Sequence, residues 1–569
     1  MLNKFEIFLT TMLQSKTRKA FFLLTTLLAF FVSVYLLPAE IVLAKMLPGK
    51  NNDTFNIYVT MKTGSSIEQT KEVSECVIDY IIREDEVLNT ELFLGEGSPL
   101  DFAGLIKGSH FKNSENVSEI VVNITKAHHR KEPSYMMVQR LRSPIQKNCE
   151  NLYDSTKISF VEPPSGPPVL AAVVAEVYGD NEEGIRKLSF QVEEIFTKTS
   201  GLVDIDIMHD DIYDSYEVIV NSSKIARSGL SIKQVNNILY LAFEGMQIAV
   251  KNSRTFDDQI PIYLTIEPDK KRFSENSVEA INAKLSSLKL MNAMGMMVPI
   301  TEVVSLVKVT SNPMIMSKNL HQMSNVMAET DMVSQVYPLI ESRSTMLDTL
   351  SKEYTISKIG LFDLKLQDKK SLKTYKIIFD GEMKVTIDTF IELGGAFIAA
   401  LILIFLLMVV YYKSFVLSGI VLLGSFLSIV GVIVGHFIMD LFTVDTFFLT
   451  ATSLIGFIAL IGISSRNTIL LLDFTKSLIH NKGMHKQEAV AYATATRAKP
   501  ILLTAAAIIL ASTLLASDAV FGGLGVSLIF GTIAAVVASL IIVPILIDNS
   551  NLEKHFGYSE KKSLPIFEE

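Results

Sequence analysis

The chain has 569 residues, 49% of them hydrophobic, and a formal net charge of −8. So apolar a composition excludes a disordered chain, and the acidic balance offers no electrostatic footprint for nucleic acid. The length leaves room for two or three soluble domains beside membrane segments.

A basic leader (Lys4, Lys16, Arg18, Lys19) precedes an apolar span from Ala20 to about Ala39. This span is longer than the roughly 7–15 residues of a signal-peptide core and no small-residue cleavage site follows, so it reads as a retained anchor. A soluble stretch then runs to near Asp388. Five apolar windows come after it: Leu393–Tyr412, Phe415–Met439, Phe447–Leu472, Ile501–Ser517 and Gly522–Ile547. A helix needs about 20 mostly apolar residues to cross the hydrocarbon core, and each window is near that length or longer. The expected fold is an α-helical membrane protein with six transmembrane helices, one plus five, and a large exported α+β domain. Lys413, Lys476, Lys482, Lys486, Arg497, Lys499, Lys554, Lys561 and Lys562 fall on the leader's side, whereas the turns Asp440–Asp445 and Ser517–Phe521 hold no Lys or Arg. By the positive-inside rule both termini face the cytoplasm.

In the exported domain, Phe55–Lys62 alternates as a strand and Ser65–Ile82 reads as a helix, with Ser65 and Glu68 spaced as a capping box. Strands near Asn89–Leu94 and Ser118–Thr125, a helix at Ser134–Lys147 and a strand at Lys157–Val161 complete a β-α-β-β-α-β order, the ferredoxin-like unit. The run Pro163-Pro164-Ser165-Gly166-Pro167-Pro168 breaks the chain. A second unit begins with Ala171–Tyr178, a helix at Glu182–Thr199 and strands near Val203–Met208 and Tyr216–Asn221. An insertion follows, with a helix at Ile232–Phe243, a strand at Pro261–Ile266 and a loop ending in Met297-Val298-Pro299; Met323–Val326 and a helix near Met332–Leu350 then complete the unit. The expected domains are 1–19 (cytoplasmic leader), 20–39 (first membrane helix), 40–165 (first subdomain), 166–228 with 306–390 (second subdomain), 229–305 (insertion), 391–548 (membrane helices two to six) and 549–569 (cytoplasmic tail).

Cys76 and Cys149 both fall in the exported domain, where a disulfide is chemically permitted, on two helices of one small domain. The reading preferred over a bridge is two small buried apolar residues. Met291, Met294, Met296 and Met297, then Met314, Met316, Met323 and Met327, form a methionine-rich region. Thioethers suit Cu(I) or Ag(I). No fixed spacing repeats, however, and neither Cys nor His joins the group, so packing into irregular gaps or an adaptable surface is preferred and no metal is expected. His128-His129 reads as a solvated loop after a strand.

A charge inside a membrane span is costly and is a functional candidate by default. Arg466 has apolar residues on both sides, and Ser464, Ser465, Asn467 and Thr468 form a polar belt that suits a packed bundle interior; the alternative is a side chain snorkelling to the inner interface. Asp473 reads as a helix-end charge. Lys476–Thr496 reads as an amphipathic segment lying on the membrane surface, leading to Pro500 at the entry of the next span. Arg497 either anchors that span at the headgroups or turns inward toward Thr504 and Arg466.

Gly462–Phe474 and Glu488–Thr504, with Ala489, Arg497, Pro500 and Thr504 in register, resemble the C-terminal half of resistance–nodulation–division (RND) permeases of the acriflavine-resistance, hydrophobe/amphiphile efflux type. Leu47-Pro48-Gly49, Thr63–Thr70, Gly166–Val169, Gly229-Leu230-Ser231, Val298-Pro299-Ile300 and Gly523–Pro544 also fit, so the resemblance covers nearly the whole chain. It implies a proton-driven trimeric pump of the bacterial inner membrane that captures amphiphilic substrates from the periplasm or outer leaflet. It further implies periplasmic porter subdomains, a docking-type insertion, a periplasmic adaptor and an outer-membrane channel as partners, and no cofactor or enzymatic reaction. Arg466 matches the relay lysine position, Arg497 and Thr504 match the relay arginine and threonine, and Asn467 lies beside them. Two departures stand out. No carboxylate lies deep in a span, and arginine, which stays protonated, replaces a lysine that can lose its proton. Arg466 would then act as a fixed counter-charge for carboxylates supplied by a partner.

The preferred reading is therefore the second half of a split permease, completed by a separate N-terminal-half polypeptide. Its rivals are a six-span accessory of protein export resembling the SecD/SecF type, and a non-transporting relic or assembly component.

Overall fold

The computed structural model describes residues 2–550 apart from 50, 100–101, 110–111, 164–165, 167–168, 210–211, 257, 268–276, 312–313, 332–333 and 444–445. Pro164, Ser165, Pro167 and Pro168 of the chain-breaking run, Met332, Asp445 and the basic tail residues Lys554, Lys561 and Lys562 lie outside the described residues. Two compact units form: one from the residues up to His209 together with those from Ile315 on, the other from Asp210 to Met314.

Helix α1 (Leu2–Gln14) meets α2 (Lys16–Tyr35) at Ser15, whose hydroxyl accepts the Arg18 N–H and so starts α2. Next come β1 (Thr54–Thr60), α3 (Ile67–Ile81), β2 (Val87–Glu96), α4 (Phe102–Lys107), β3 (Asn113–Ile124), α5 (Ser134–Cys149) and β4 (Lys157–Val161). The antiparallel sheet has the order β2-β3-β1-β4. Period-two alternation buries Phe55, Ile57 and Val59 against Val73, Val77 and Ile81 of α3 and Met137, Leu141 and Ile145 of α5. The capping box is one residue later than expected: Ser66 accepts from Gln69 N–H while the Gln69 side chain accepts from Ser66 N–H. Cys76 and Cys149 are joined in a disulfide, contrary to the expectation of two separate buried thiols. The two helices lie side by side on the same sheet face, which brings these Cα atoms to 5.9 Å.

The second subdomain opens with β5 (Val173–Gly179), α6 (Glu182–Lys198) and β6 (Leu202–Met208). The inserted unit then holds β7 (Asp214–Val220), α7 (Ser222–Arg227), α8 (Ile232–Phe243), β8 (Met246–Lys251), β9 (Ile260–Leu264), α9 (Val278–Leu285), β10 (Lys289–Met291), β11 (Met297–Pro299) and β12 (Val304–Thr310). The strand expected at Tyr216–Asn221 belongs to this unit, not to the second subdomain, because β7 pairs along its whole length with β12, from Asp214 opposite Thr310 to Val220 opposite Val304. The expected boundary at 229 therefore falls inside the unit. Met297-Val298-Pro299, expected as loop, is strand β11 paired with β10.

The chain returns through β13 (Met316–Lys318), β14 (His321–Thr330), α10 (Val336–Leu350), β15 (Tyr354–Ile359), β16 (Asp363–Asp368) and β17 (Thr374–Asp380). These join β5 and β6 in a seven-stranded sheet in which β14 pairs with both β5 and β6, and β17 with β5. The last three strands were not foreseen, although Leu364, Leu366, Tyr375, Ile377 and Phe379 alternate into the core. Gly381 turns β17 into the next helix at φ +95, where an added Cβ would lie 2.6 Å from the Ala171 carbonyl oxygen. Only glycine fits both conditions.

The remaining helices are α11 (Glu382–Tyr412), α12 (Phe415–Phe426), α13 (Ser428–Phe442), α14 (Ala451–Lys482), α15 (Lys486–Ala516), α16 (Gly522–Val537) and, after a π-helical turn at Ala538–Ile542, α17 (Val543–Asn549). Among the described residues, six helices are long and apolar enough to cross a membrane: Lys16–Tyr35, Glu382–Tyr412, Phe415–Phe442, Ala451–Lys482, Lys486–Ala516 and Gly522–Asn549. Small residues let them approach, since lipid tails give apolar helices little reason to associate otherwise. A Cβ on Gly456 would lie 2.5 Å from Ser527 Cβ, and one on Gly431 would overlap the Phe530 carbonyl. The surface-lying segment expected at Lys476–Thr496 is absent. Only 483–485 separate α14 from α15, and Ala489, Val490, Ala491, Ala493 and Ala495 are buried in the first turns of one continuous helix. Alanine favours that helix strongly enough, with burial, to carry Pro500 in its interior rather than at its entry.

Candidate functional site

Arg466 is the sixteenth residue of the 32-residue α14, which places it about 22 Å along the axis from Ala451. Its outward stripe reads Ile455, Ala459, Gly462, Arg466 and Leu470, all exposed on this chain. The polar belt points the other way: Ser464, Ser465, Asn467 and Thr468 are buried, and Ser465 shares a 2.9 Å hydrogen bond with Ser425 of α12. The guanidinium and the belt around it therefore part company, because residues one and two apart on a helix do not share a face. Among the described residues the buried Ser464 and Thr468 hydroxyls have no hydrogen-bond partner.

Arg497 is half-buried, with its guanidinium 5.1 Å from the centre of the Phe474 ring of α14. Thr504 is exposed and returns its hydroxyl to the Ile501 carbonyl at 3.0 Å. Among the described residues no hydrogen bond or ion pair joins Arg466, Asn467, Arg497 and Thr504. Asp473 accepts hydrogen bonds from Tyr412 (3.1 Å) and Tyr411 (3.3 Å) at the end of α11, so its carboxylate ties two helix ends together. Lys19 and Asp548 pair at 2.8 Å, which fastens the start of α2 to the end of α17.

Sequence reasoning passed over His436. It is fully buried in α13, with Nδ1 donating to the Val432 carbonyl at 2.8 Å and Nε2 2.8 Å from the Ser453 hydroxyl. A carbonyl only accepts, so Nδ1 carries a proton, and in the neutral ring Nε2 accepts from Ser453. Thr450, Thr452 and the Val520 carbonyl extend this chain of polar contacts. The signal was present: an ionisable side chain inside an apolar span.

A second polar centre lies between the two sheet subdomains and the start of α11. There Lys45, Lys107, Arg142, Glu162, Glu329 and Glu382 help line a cavity of about 150 Å³. Lys107 pairs with Glu329 at 2.6 Å, and Arg142 reaches Asp204 and Asp331, each at 3.1 Å, so both cations of the first subdomain grip carboxylates of the second. Glu162 is left out of these ion pairs; Ser134 hydrogen-bonds its carboxyl, while its Oε1 is shut off from solvent without a hydrogen-bond partner among the described residues. Burial pushes its carboxyl up to about 7, against the pull of Arg142 and Lys45. The folded chain therefore holds a proton that the unfolded chain has released between about 4.5 and 7, and stability falls as pH rises through that window. Glu162→Gln removes the proton linkage. The wild type should lose on the order of 2–3 kcal/mol relative to this variant between pH 5 and pH 8, read as unfolding temperature against pH. Parallel profiles would refute the assignment.

A pair of β-sheet subdomains between the first and second of six apolar helices, with a further unit inserted into the second, is the fold of an RND efflux permease. The chain belongs to the AcrB/AcrD/AcrF family, whose profile matches residues 1–547. It is 26% identical over 382 residues to the swarming motility protein SwrC of Bacillus subtilis (strain 168), covering 65% of this chain and 32% of that protein. It is 22% identical over 373 residues to the multidrug resistance protein MdtC of Erwinia tasmaniensis, covering 64% and 33%. Over 149 residues it is 30% identical to the multidrug export protein AcrF of Escherichia coli (strain K12), covering 25% and 14%. The crystal structure of a heavy metal efflux pump superposes with a TM-score of 0.68 at 18% identity, covering 95% of this chain and 51% of the pump. The chain thus spans about half the length of that solved relative and a smaller share of the curated ones.

Proposed function

We propose that this chain is the second half of a split, proton-driven RND efflux permease that exports amphiphilic compounds, and that a separate polypeptide supplies the first half. The observation that carries the reading is Arg466: a permanent cation halfway along a membrane helix, on the side turned away from its own bundle. A guanidinium facing lipid at that depth is costly, whereas one facing carboxylates of a second bundle is paired.

In this reading Arg466 is a counter-charge that keeps partner carboxylates ionised until protons arrive, and it does not itself release a proton. Arg497 and Thr504 belong to the same relay and come together with Arg466 only when the other half is present, whereas Asn467, buried in this chain's own bundle, backs Arg466 from the opposite face. The six apolar helices all span the inner membrane with both termini cytoplasmic. The β-α-β-β-α-β subdomain is a ferredoxin-like porter unit in the periplasm, and the inserted unit serves docking. Paired halves assemble as trimers with a periplasmic adaptor and an outer-membrane channel. No observation favours the protein-export or non-transporting readings.

The test is co-expression with the neighbouring open reading frame. A six-span protein with paired Asp residues in its fourth span should co-purify with this chain, and dye efflux should need both. Efflux by this chain alone would sink the proposal.

A further inference from the structure

Four methionines of the inserted unit do not fill gaps. Met291, Met294, Met296 and Met297 are exposed by 62%, 72%, 55% and 57%, all within the hairpin of β10 and β11. Strand alternation explains the outer pair. Leu290 and Val298 face each other across the hairpin and pack on the unit's apolar core, so Met291 and its register partner Met297 share the opposite, solvent face. Side chains directly opposite on antiparallel strands start about 5 Å apart at Cβ, within reach of two flexible thioethers bending toward one point.

The tip between them is held in place. Asn292 is buried, and its Oδ1 accepts from the N–H groups of Met294 (3.0 Å) and Met296 (2.9 Å), while its Nδ2 donates to the Ser228 carbonyl at 3.1 Å. Gly295, at φ +79, makes the turn possible. One buried amide thus presents two more thioethers from a fixed loop.

We propose that this hairpin binds a soft monovalent cation, Cu(I) or Ag(I), through the thioether sulfurs of Met291, Met294, Met296 and Met297. Soft d¹⁰ ions select sulfur donors over the carboxylates and amines elsewhere on a surface. Thiolates would outcompete thioethers, but the two cysteines of this chain are joined to each other and none is free. The spacing Met-x-x-Met-x-Met-Met supplies four uncharged donors in seven residues, and packing accounts for none of their exposure. The inference does not depend on the efflux reading.

The probe is Ag(I), titrated as silver nitrate into the purified full chain in chloride-free detergent buffer. It needs no reductant, so the disulfide stays closed. With 22 methionines in the chain, the informative quantity is the difference from a quadruple variant in which Met291, Met294, Met296 and Met297 are all changed to Leu. Leucine keeps the apolar surface and removes only sulfur, so a hairpin that serves merely to dock another protein would be unaffected. The wild type should hold about one equivalent of Ag(I) more than the variant, with Ag–S scattering in X-ray absorption that the variant lacks. A Met294→Leu/Met296→Leu chain should bind more weakly than wild type, and a competition assay with a Cu(I) chelator should give the same order. Equal stoichiometry and affinity in wild type and quadruple variant, with unchanged unfolding temperatures, would overturn the proposal.

Discussion

Under the proposed split-permease function, Arg466→Ala is expected to abolish efflux measured with the proposed first-half polypeptide present, while Arg466→Lys keeps a substantial part of it. Removing one member of a desolvated charge pair leaves the other buried and unpaired, at a cost of roughly 3–5 kcal/mol, or more than about a hundredfold in the step that depends on it. Lysine restores the positive charge but not the planar fork, so partial activity is the expected outcome. Arg466 is exposed on its own chain and makes no hydrogen bond or ion pair among the described residues, so the alanine variant should reach the membrane in normal amounts. Export at wild-type rates from Arg466→Ala would remove this side chain from the relay and with it the main support for a carboxylate-bearing partner.

The second large effect concerns the Cys76–Cys149 bridge. It closes a loop of 73 residues in sequence separation across the first sheet subdomain. In the chain-entropy account a closure of that length contributes about 4 kcal/mol, and measured losses on removing native bridges are of similar size. Cys76→Ala/Cys149→Ala should therefore lower the unfolding temperature of the full chain and expose Thr54–Val161 to protease, while the membrane helices resist. Reduction of the wild type should reproduce the pattern. If the variant and the wild type were cut at equal rates, the bridge would have no part in holding α3 to α5.

Much of the architecture is legible along the chain. The helix at Ile232–Phe243 and the strand at Lys157–Val161 have the same bounds in sequence reasoning and in the structure. Both are fixed by local periodicity and by flanking turn and cap residues. The misses share one physical cause. β7 looks like any alternating strand, and only its pairing with β12, more than 80 residues away, assigns it to the inserted unit. Residues 486–496 carry charges suited to a membrane surface, yet Ala489, Val490, Ala491 and Ala493 are buried by helices from elsewhere in the chain. The cysteines meet because two helices share a sheet face, a relation that spacing does not encode.

The candidate site divides in the same way. Sequence picked out Arg466 as a charge within a span and found the polar belt around it. It placed them together, whereas helical geometry sends Ser464, Ser465, Asn467 and Thr468 inward and Arg466 outward. It read the methionines as gap filling or an adaptable surface; Met323 is buried, whereas strand alternation and the Asn292 amide turn Met291, Met294, Met296 and Met297 to solvent. By itself, the sequence determined the order of apolar helices around a large intervening domain, the family and the place of Arg466 within an apolar helix, because hydropathy, length and motif spacing are properties of contiguous residues. Only the tertiary structure decided which face each side chain occupies, which strands belong to which unit, and that the two cysteines meet, because those outcomes depend on contacts between segments far apart in the chain.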